Sequence, residues 1–207
     1  MRMDRRAFLS LTTATAAAMA GPAAAQTTLG MLDIEPFDYV RFAESEIPEQ
    51  FRRQLVPFAS HETTGTIVVD PGARFLYVTR EDGMALRYGI GIGRAGFLWS
   101  GRARIGRKAE WPTWTPPEEM RLRQPDLPES MPGGPENPLG ARALYLFEGN
   151  RDTLYRLHGT SELHSIGQAV SSGCVRLLNQ DIVDLYRRVP VGTDVVVMSA
   201  DGTSALG

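Results

Sequence analysis

The chain has 207 residues, with 22 Lys and Arg against 24 Asp and Glu and a formal charge of −2, enough for one domain with a real core. Nothing in that balance suggests a nucleic-acid partner, and a single cysteine excludes an internal disulfide. No segment approaches the roughly 20 consecutive apolar residues of a bilayer-spanning helix, so the mature chain is expected to carry no transmembrane segment.

The N-terminus reads as a signal peptide over residues 1–25. Arg2, Arg5 and Arg6 form a basic start, an alanine-rich apolar run follows to Met19, and Ala23-Ala24-Ala25 offers small residues for cleavage. Arg5-Arg6 before Ala7-Phe8-Leu9 resembles the twin-arginine export pattern, with the general secretory route as the alternative. The expected location is therefore the periplasm.

Residues 26–62 read as an N-terminal arm. Within it Phe51, Leu55 and Phe58 fall at helical spacing, which predicts one short helix ending at Pro57. From Thr66 the pattern changes to strands. Thr66 to Val69 is β-branched, Pro71-Gly72 is a turn, Arg74 to Arg80 alternates, and Asp82-Gly83 signals a hairpin into Met84 to Ile92.

Residues 99–141 hold all three tryptophans, Trp99, Trp111 and Trp114, and eight prolines between Pro112 and Pro138, which predicts an ordered, substrate-facing loop region. Strands are expected again at Ala141 to Phe147 and Thr153 to His158. Asn179 is a suitable N-cap for a helix to Val189, with Ile182, Leu185, Tyr186 and Val189 on one face and Pro190 as the stop. Thr193 to Met198 closes the series, and residues 200–207 read as a tail. Strands dominate without βαβ alternation, so the predicted fold is mainly β, a sandwich or open barrel with one helix.

The chemistry concentrates in Leu157 to Asn179. This stretch contains the lone Cys174 and two of the three histidines, His158 and His164. A thiolate is the reactive form of cysteine, and a neighbouring imidazole can generate it. Gly173 lets the backbone turn tightly before the sulfur and leaves the N–H groups of Gly173 and Cys174 available to an oxyanion. Arg176 could bind a substrate carboxylate or brace the loop, and Ser171 and Ser172 could donate hydrogen bonds or simply form a turn. A zinc site from His158, His164 and Cys174 fits no standard spacing and lacks a fourth ligand, so neither metal nor organic cofactor is expected.

His158-Gly159-Thr160, Ser165-Ile166-Gly167, Ser171-Ser172-Gly173-Cys174-Val175-Arg176 and Asn179 together resemble the signature of the L,D-transpeptidase (YkuD-type) family. The resemblance extends from about Gly65 to Val197, with Trp111 to Met120 and Gly133 to Phe147 similar to one of its subgroups. It implies a β-sandwich-like catalytic domain over residues 63–199, with one helix after the cysteine. It also implies a cysteine acyltransferase acting on peptidoglycan stem peptides. Cys174 would then be the nucleophile and His158 the base, oriented through the Gly159 carbonyl, with Gly173 at the oxyanion. Arg176, Ser171, Ser172, Thr160 and Trp114 would contact substrate. An outer-membrane protein is one candidate acyl acceptor. The family's usual motif has histidine where this chain has Ser172, which bears on rate and substrate tuning. A non-catalytic wall-binding module and an L,D-carboxypeptidase are the alternatives to transpeptidation.

Overall fold

Eleven strands and two helices are present among the described residues of the computed structural model, which are 35–93, 99–171 and 173–199. The chain divides into a unit Met1–Glu35 and a unit Pro36–Gly207, and every element lies in the second. The predicted signal peptide, the tail and Ser172 lie outside the described residues, as does the side chain of Ser171.

The β-branched and alternating runs form strands as their patterns require: β2 Ile67–Asp70, β3 Phe75–Thr79 and β4 Met84–Gly89 are a meander of antiparallel neighbours. The predicted arm helix is not there. Glu49–Phe51 is a single 3-10 turn, and Gln54–Pro57 is an edge strand, β1, antiparallel to β4. Its apolar spacing reflects rings that pack on two neighbours. Phe51 stands 5.8 Å from Phe75, and Phe58 stacks on Tyr77 at 4.2 Å.

The segment 99–141 also departs from a pure loop. It opens with the ten-residue strand β6, Gly101–Glu110, and includes a short helix, α1, Glu118–Arg123. The strand is masked in sequence by its arginines, although Ala103 and Ile105 alternate into the core. The chain continues through β7 Arg142–Glu148, β8 Arg151–Thr160, β10 Val175–Leu178, helix α2 Asn179–Arg188 and β11 Asp194–Val197. The strand order is β1-β4-β3-β2-β11-β6-β7-β8-β10. Two short strands, β5 Ile92–Gly93 and β9 Ala169–Ser171, form a separate parallel pair.

This sheet must curl, because one buried cluster joins both of its ends: Leu76 of β3 and Tyr88 of β4 share it with Val175 and Leu177 of β10. Gly91 nearly closes the curl by exchanging backbone hydrogen bonds with Arg176, at 2.9 and 2.8 Å. Helix α2 inserts Ile182, Leu185 and its C-cap Val189 into the same cluster, each worth about 1.5–3 kcal/mol when fully buried. Lys108 of β6 fastens the end of α2 by donating to the carbonyls of Tyr186 and Val189. Asn179 does not cap its own helix. Its side-chain oxygen accepts the Ala141 N–H at 2.9 Å, which ties the start of α2 to the entry of β7. No described helix is long and apolar enough to cross a membrane.

Candidate active site

Two adjacent parallel strands build the site. β10 pairs with β8 in the register Val175↔Leu157, Arg176↔His158 and Leu177↔Gly159. Leu157, Val175 and Leu177 point into the core, so alternation sends Arg156, His158, Cys174 and Arg176 to the opposite face. Cys174, one residue ahead of β10, falls level with Arg156, whose backbone N–H reaches the sulfur. Cys174 and His158 therefore stand on one face, at the start of β10 and in β8, two positions apart along the sheet.

His158 is buried, and its Nδ1 lies 2.9 Å from the Gly159 carbonyl oxygen. A carbonyl only accepts, so Nδ1 carries the proton and Nε2 of the neutral ring keeps its lone pair. Burial pushes the imidazole down to about 4, with Arg176 and Arg156 adding to the effect and the Gly159 bond opposing it. The half-buried Cys174 thiol is pushed up, first by desolvation and then by Asp152. The Arg156 N–H and the charges of Arg156 and Arg176 pull the other way. Both groups are held neutral at rest.

The loop before the sulfur has little freedom. Gly173 has φ 130°, a conformation L side chains rarely adopt. A Cβ on Gly93 would stand 2.6 Å from the Gly173 Cα, so β5 presses on the cysteine loop through bare backbone.

Arg176 is engaged by Glu162 at 2.7 Å, so it braces the loop and faces the cleft at once. That cleft, about 340 Å³, is lined by Thr160, Glu162, Arg176 and Asn179 and by Pro135 to Pro138. Thr160 is buried, and its hydroxyl accepts the Glu162 N–H, a local turn contact. Trp114 is half-buried and exchanges backbone hydrogen bonds with Met131 in its own loop. Ser171 lies in β9 beside Gly93. His164 is exposed on a 3-10 turn. Among the described residues no group of three or more His, Cys, Asp and Glu could hold a metal ion.

Two residues beside the site are not singled out by the motif. Arg156 is one, and its place two before His158 in a strand is the signal that puts it on the same face. Arg107 is the other, stacked with Arg156 on the ring of Tyr145 from strand β6, which sequence alone does not reveal. Tyr155 packs on the core cluster, its phenol raised by burial first and also by the charge of Cys174, with the Trp99 ring 5.7 Å away.

The family model for the YkuD L,D-transpeptidase catalytic domain matches residues 64–197. The chain belongs to the L,D-transpeptidase catalytic domain family. The probable L,D-transpeptidase YbiS of Escherichia coli (strain K12) is 38% identical over 157 residues, covering 72% of this chain and 47% of that protein. The chain spans about half the length of the curated relatives it matches. Among solved structures, one from Brucella melitensis, described as a probable carnitine operon oxidoreductase, is 47% identical with a TM-score of 0.50. It covers 74% of this chain and 98% of that one. An L,D-transpeptidase from Mycobacterium smegmatis, 20% identical with a TM-score of 0.50 over 65% of this chain and 58% of that one, shares the fold. The mainly β, L,D-transpeptidase-like architecture expected from sequence is thus the one found, with the expected helix after the cysteine and with α1 in addition.

Proposed function

We propose that this L,D-transpeptidase family member is an exported, periplasmic enzyme that forms an acyl-enzyme on Cys174 from peptidoglycan tetrapeptide stems. The observation that carries the proposal is the Nδ1 bond of His158 to the Gly159 carbonyl, on the strand beside the cysteine. It leaves Nε2 as the proton acceptor.

In this mechanism Nε2 of His158 takes the thiol proton as the sulfur attacks the carbonyl of the third stem residue. The N–H groups of Gly173 and Cys174 stabilise the oxyanion. Collapse breaks the amide bond, and the imidazolium returns its proton to the departing amine of the terminal D-alanine. An amine acceptor then attacks the thioester, His158 removes the amine proton, and the thiolate leaves and is reprotonated. A neutral thiol and a neutral imidazole suit this path, because the proton moves only as substrate displaces water.

The acceptor sets the outcome. A second stem's amine gives a 3-3 crosslink, a free D-amino acid gives exchange, an outer-membrane protein gives anchoring, and water gives carboxypeptidase activity. Thiol–disulfide exchange, the redox reading of a lone reactive cysteine, has no second cysteine in this chain to resolve a mixed disulfide.

The test is muropeptide analysis after incubating the protein with disaccharide-tetrapeptide. Cysteine-dependent loss of D-alanine with 3-3 dimers is the expected result. No turnover, together with retained binding to sacculi, would make the chain a wall-binding module instead.

A further inference from the structure

The face that carries Cys174 and His158 continues across two more strands. Register places Arg107 of β6 opposite Tyr145 of β7, and Tyr145 opposite Arg156 of β8. Arg156 in turn lies level with Cys174. One row therefore runs Arg107, Tyr145, Arg156, Cys174 across four strands.

Two irregularities make the row possible. In β6, Ile105 points into the core, so Arg107 in a regular strand would do the same. The bulge between Ile105 and Arg107 turns it to the opposite face. In β8 the register slips by two residues between Asp152 and Arg156, with Leu154 at φ 64°, a strained value for a leucine. Bulges cost pairing and are concentrated beside functional sites, where they re-aim side chains.

Both guanidinium groups converge on one ring. The Arg107 carbon lies 3.6 Å and the Arg156 carbon 4.4 Å from the Tyr145 centroid, reaching it from the strands on either side. Arg156 is matched by Asp152, at 2.7 and 3.0 Å, and Arg176 by Glu162. Arg107 is exposed and stacks on Tyr145. It has no acidic partner among the described residues. A cation held in place by an aromatic ring and left without a counterion is prepared for an anionic ligand.

We propose that Arg107, held on the ring of Tyr145 with the Asp152-paired Arg156 on its other neighbour strand, is a carboxylate-binding subsite that holds the donor peptide beside Cys174. The subsite rests on the assignment of Cys174 as nucleophile made above. Tyr145 is two strands from Cys174, roughly 10 Å at the usual spacing. The carboxylate it would take therefore lies about 10 Å from the scissile carbonyl, about three residues' length of extended chain at about 3.3–3.6 Å per residue.

Binding is measured in the Cys174→Ala background by titrating disaccharide-tetrapeptide and the same compound with its carboxylates amidated. The free acid should bind about tenfold more tightly, and Arg107→Gln should remove that preference while Arg107→Lys retains part of it. Discrimination that survives Arg107→Gln overturns the subsite. Arg107 is exposed, so its replacement leaves folding undisturbed.

A second arm does not need the natural substrate. Cys174 is labelled with 6-maleimidohexanoic acid and with its primary amide, and the ratio of rates is compared between wild type and Arg107→Gln. A severalfold fall in the acid-to-amide ratio supports the subsite even if the tetrapeptide fails to bind, an outcome that would count only against the proposed substrate. An unchanged ratio overturns it.

Discussion

Acid should affect stability through two buried groups with opposite signs. His158 has its folded value pushed down to about 4 from an ordinary 6.5, so the stability it contributes is full above about 6.5 and is lost as pH falls toward 4. Asp181 is buried in the first turn of α2, and desolvation raises it from 3.8 to about 6 against the pull of Arg53. Its raised value makes the fold more stable below about 3.8, and that gain is lost as pH rises through 6. Between pH 7 and pH 5, linkage gives a loss of about 2 kcal/mol from His158 and a gain of about 1 kcal/mol from Asp181. Wild type should therefore change little. His158→Asn, whose amide can still donate to Gly159, should become more stable on acidification by about 1 kcal/mol. Asp181→Asn should become less stable by about 2 kcal/mol. Thermal melts of the three proteins at both pH values test this, the gap between the variants being about 6–12 °C for a domain of this size. Other titrating groups are common to all three and cancel. A His158→Asn variant that follows the wild-type pH dependence would refute the neutral, buried imidazole.

The thiol itself should behave as a neutral group at rest. The rate of Cys174 alkylation by iodoacetamide should rise throughout pH 6 to 9, because burial holds the thiol above its ordinary value, whereas a plateau below pH 7 would indicate a preformed thiolate–imidazolium pair. Gly93→Ala places a methyl group against the Gly173 backbone, so melts should show a loss of about 1–3 kcal/mol and acylation should fall further. Asn179→Ala leaves the Ala141 N–H buried without its acceptor and should cost about 1–3 kcal/mol by denaturant titration, with β7 exchanging its amide protons faster. Imipenem should add its mass to wild type and not to Cys174→Ala, and an unchanged wild-type mass would count against acylation at this sulfur.

Much of the fold can be read from local pattern. The meander β2-β3-β4 follows from β-branched alternation and glycine turns, and α2 from its apolar face and Pro190. Two features cannot be read that way. β6 carries five charged residues in ten, since its outward face meets solvent or the ring of Tyr145, and only the alternation of Ala103 and Ile105 marks its buried side. The arm's Phe51 and Leu55 share a helical spacing by coincidence. Their true partners are Phe75 and the edge of β4, far along the chain. Within the site, the motif leads to Cys174, His158 and Gly159, whose relation is fixed by one strand pair. Arg107 depends on register and on a bulge, which no local signal reports. Asn179 looks like a helix cap from its neighbours and proves to be a strut to Ala141, because tertiary contact outweighs local preference.

The most direct measurement is acid-quenched incubation of the protein with disaccharide-tetrapeptide, followed by peptide mass spectrometry of the Cys174 segment. A disaccharide-tripeptide held on Cys174 as a thioester, present in wild type and strongly reduced in His158→Asn, is the predicted result. Release of D-alanine with no adduct on Cys174 at any quench time, and undiminished in Cys174→Ala, would contradict the account.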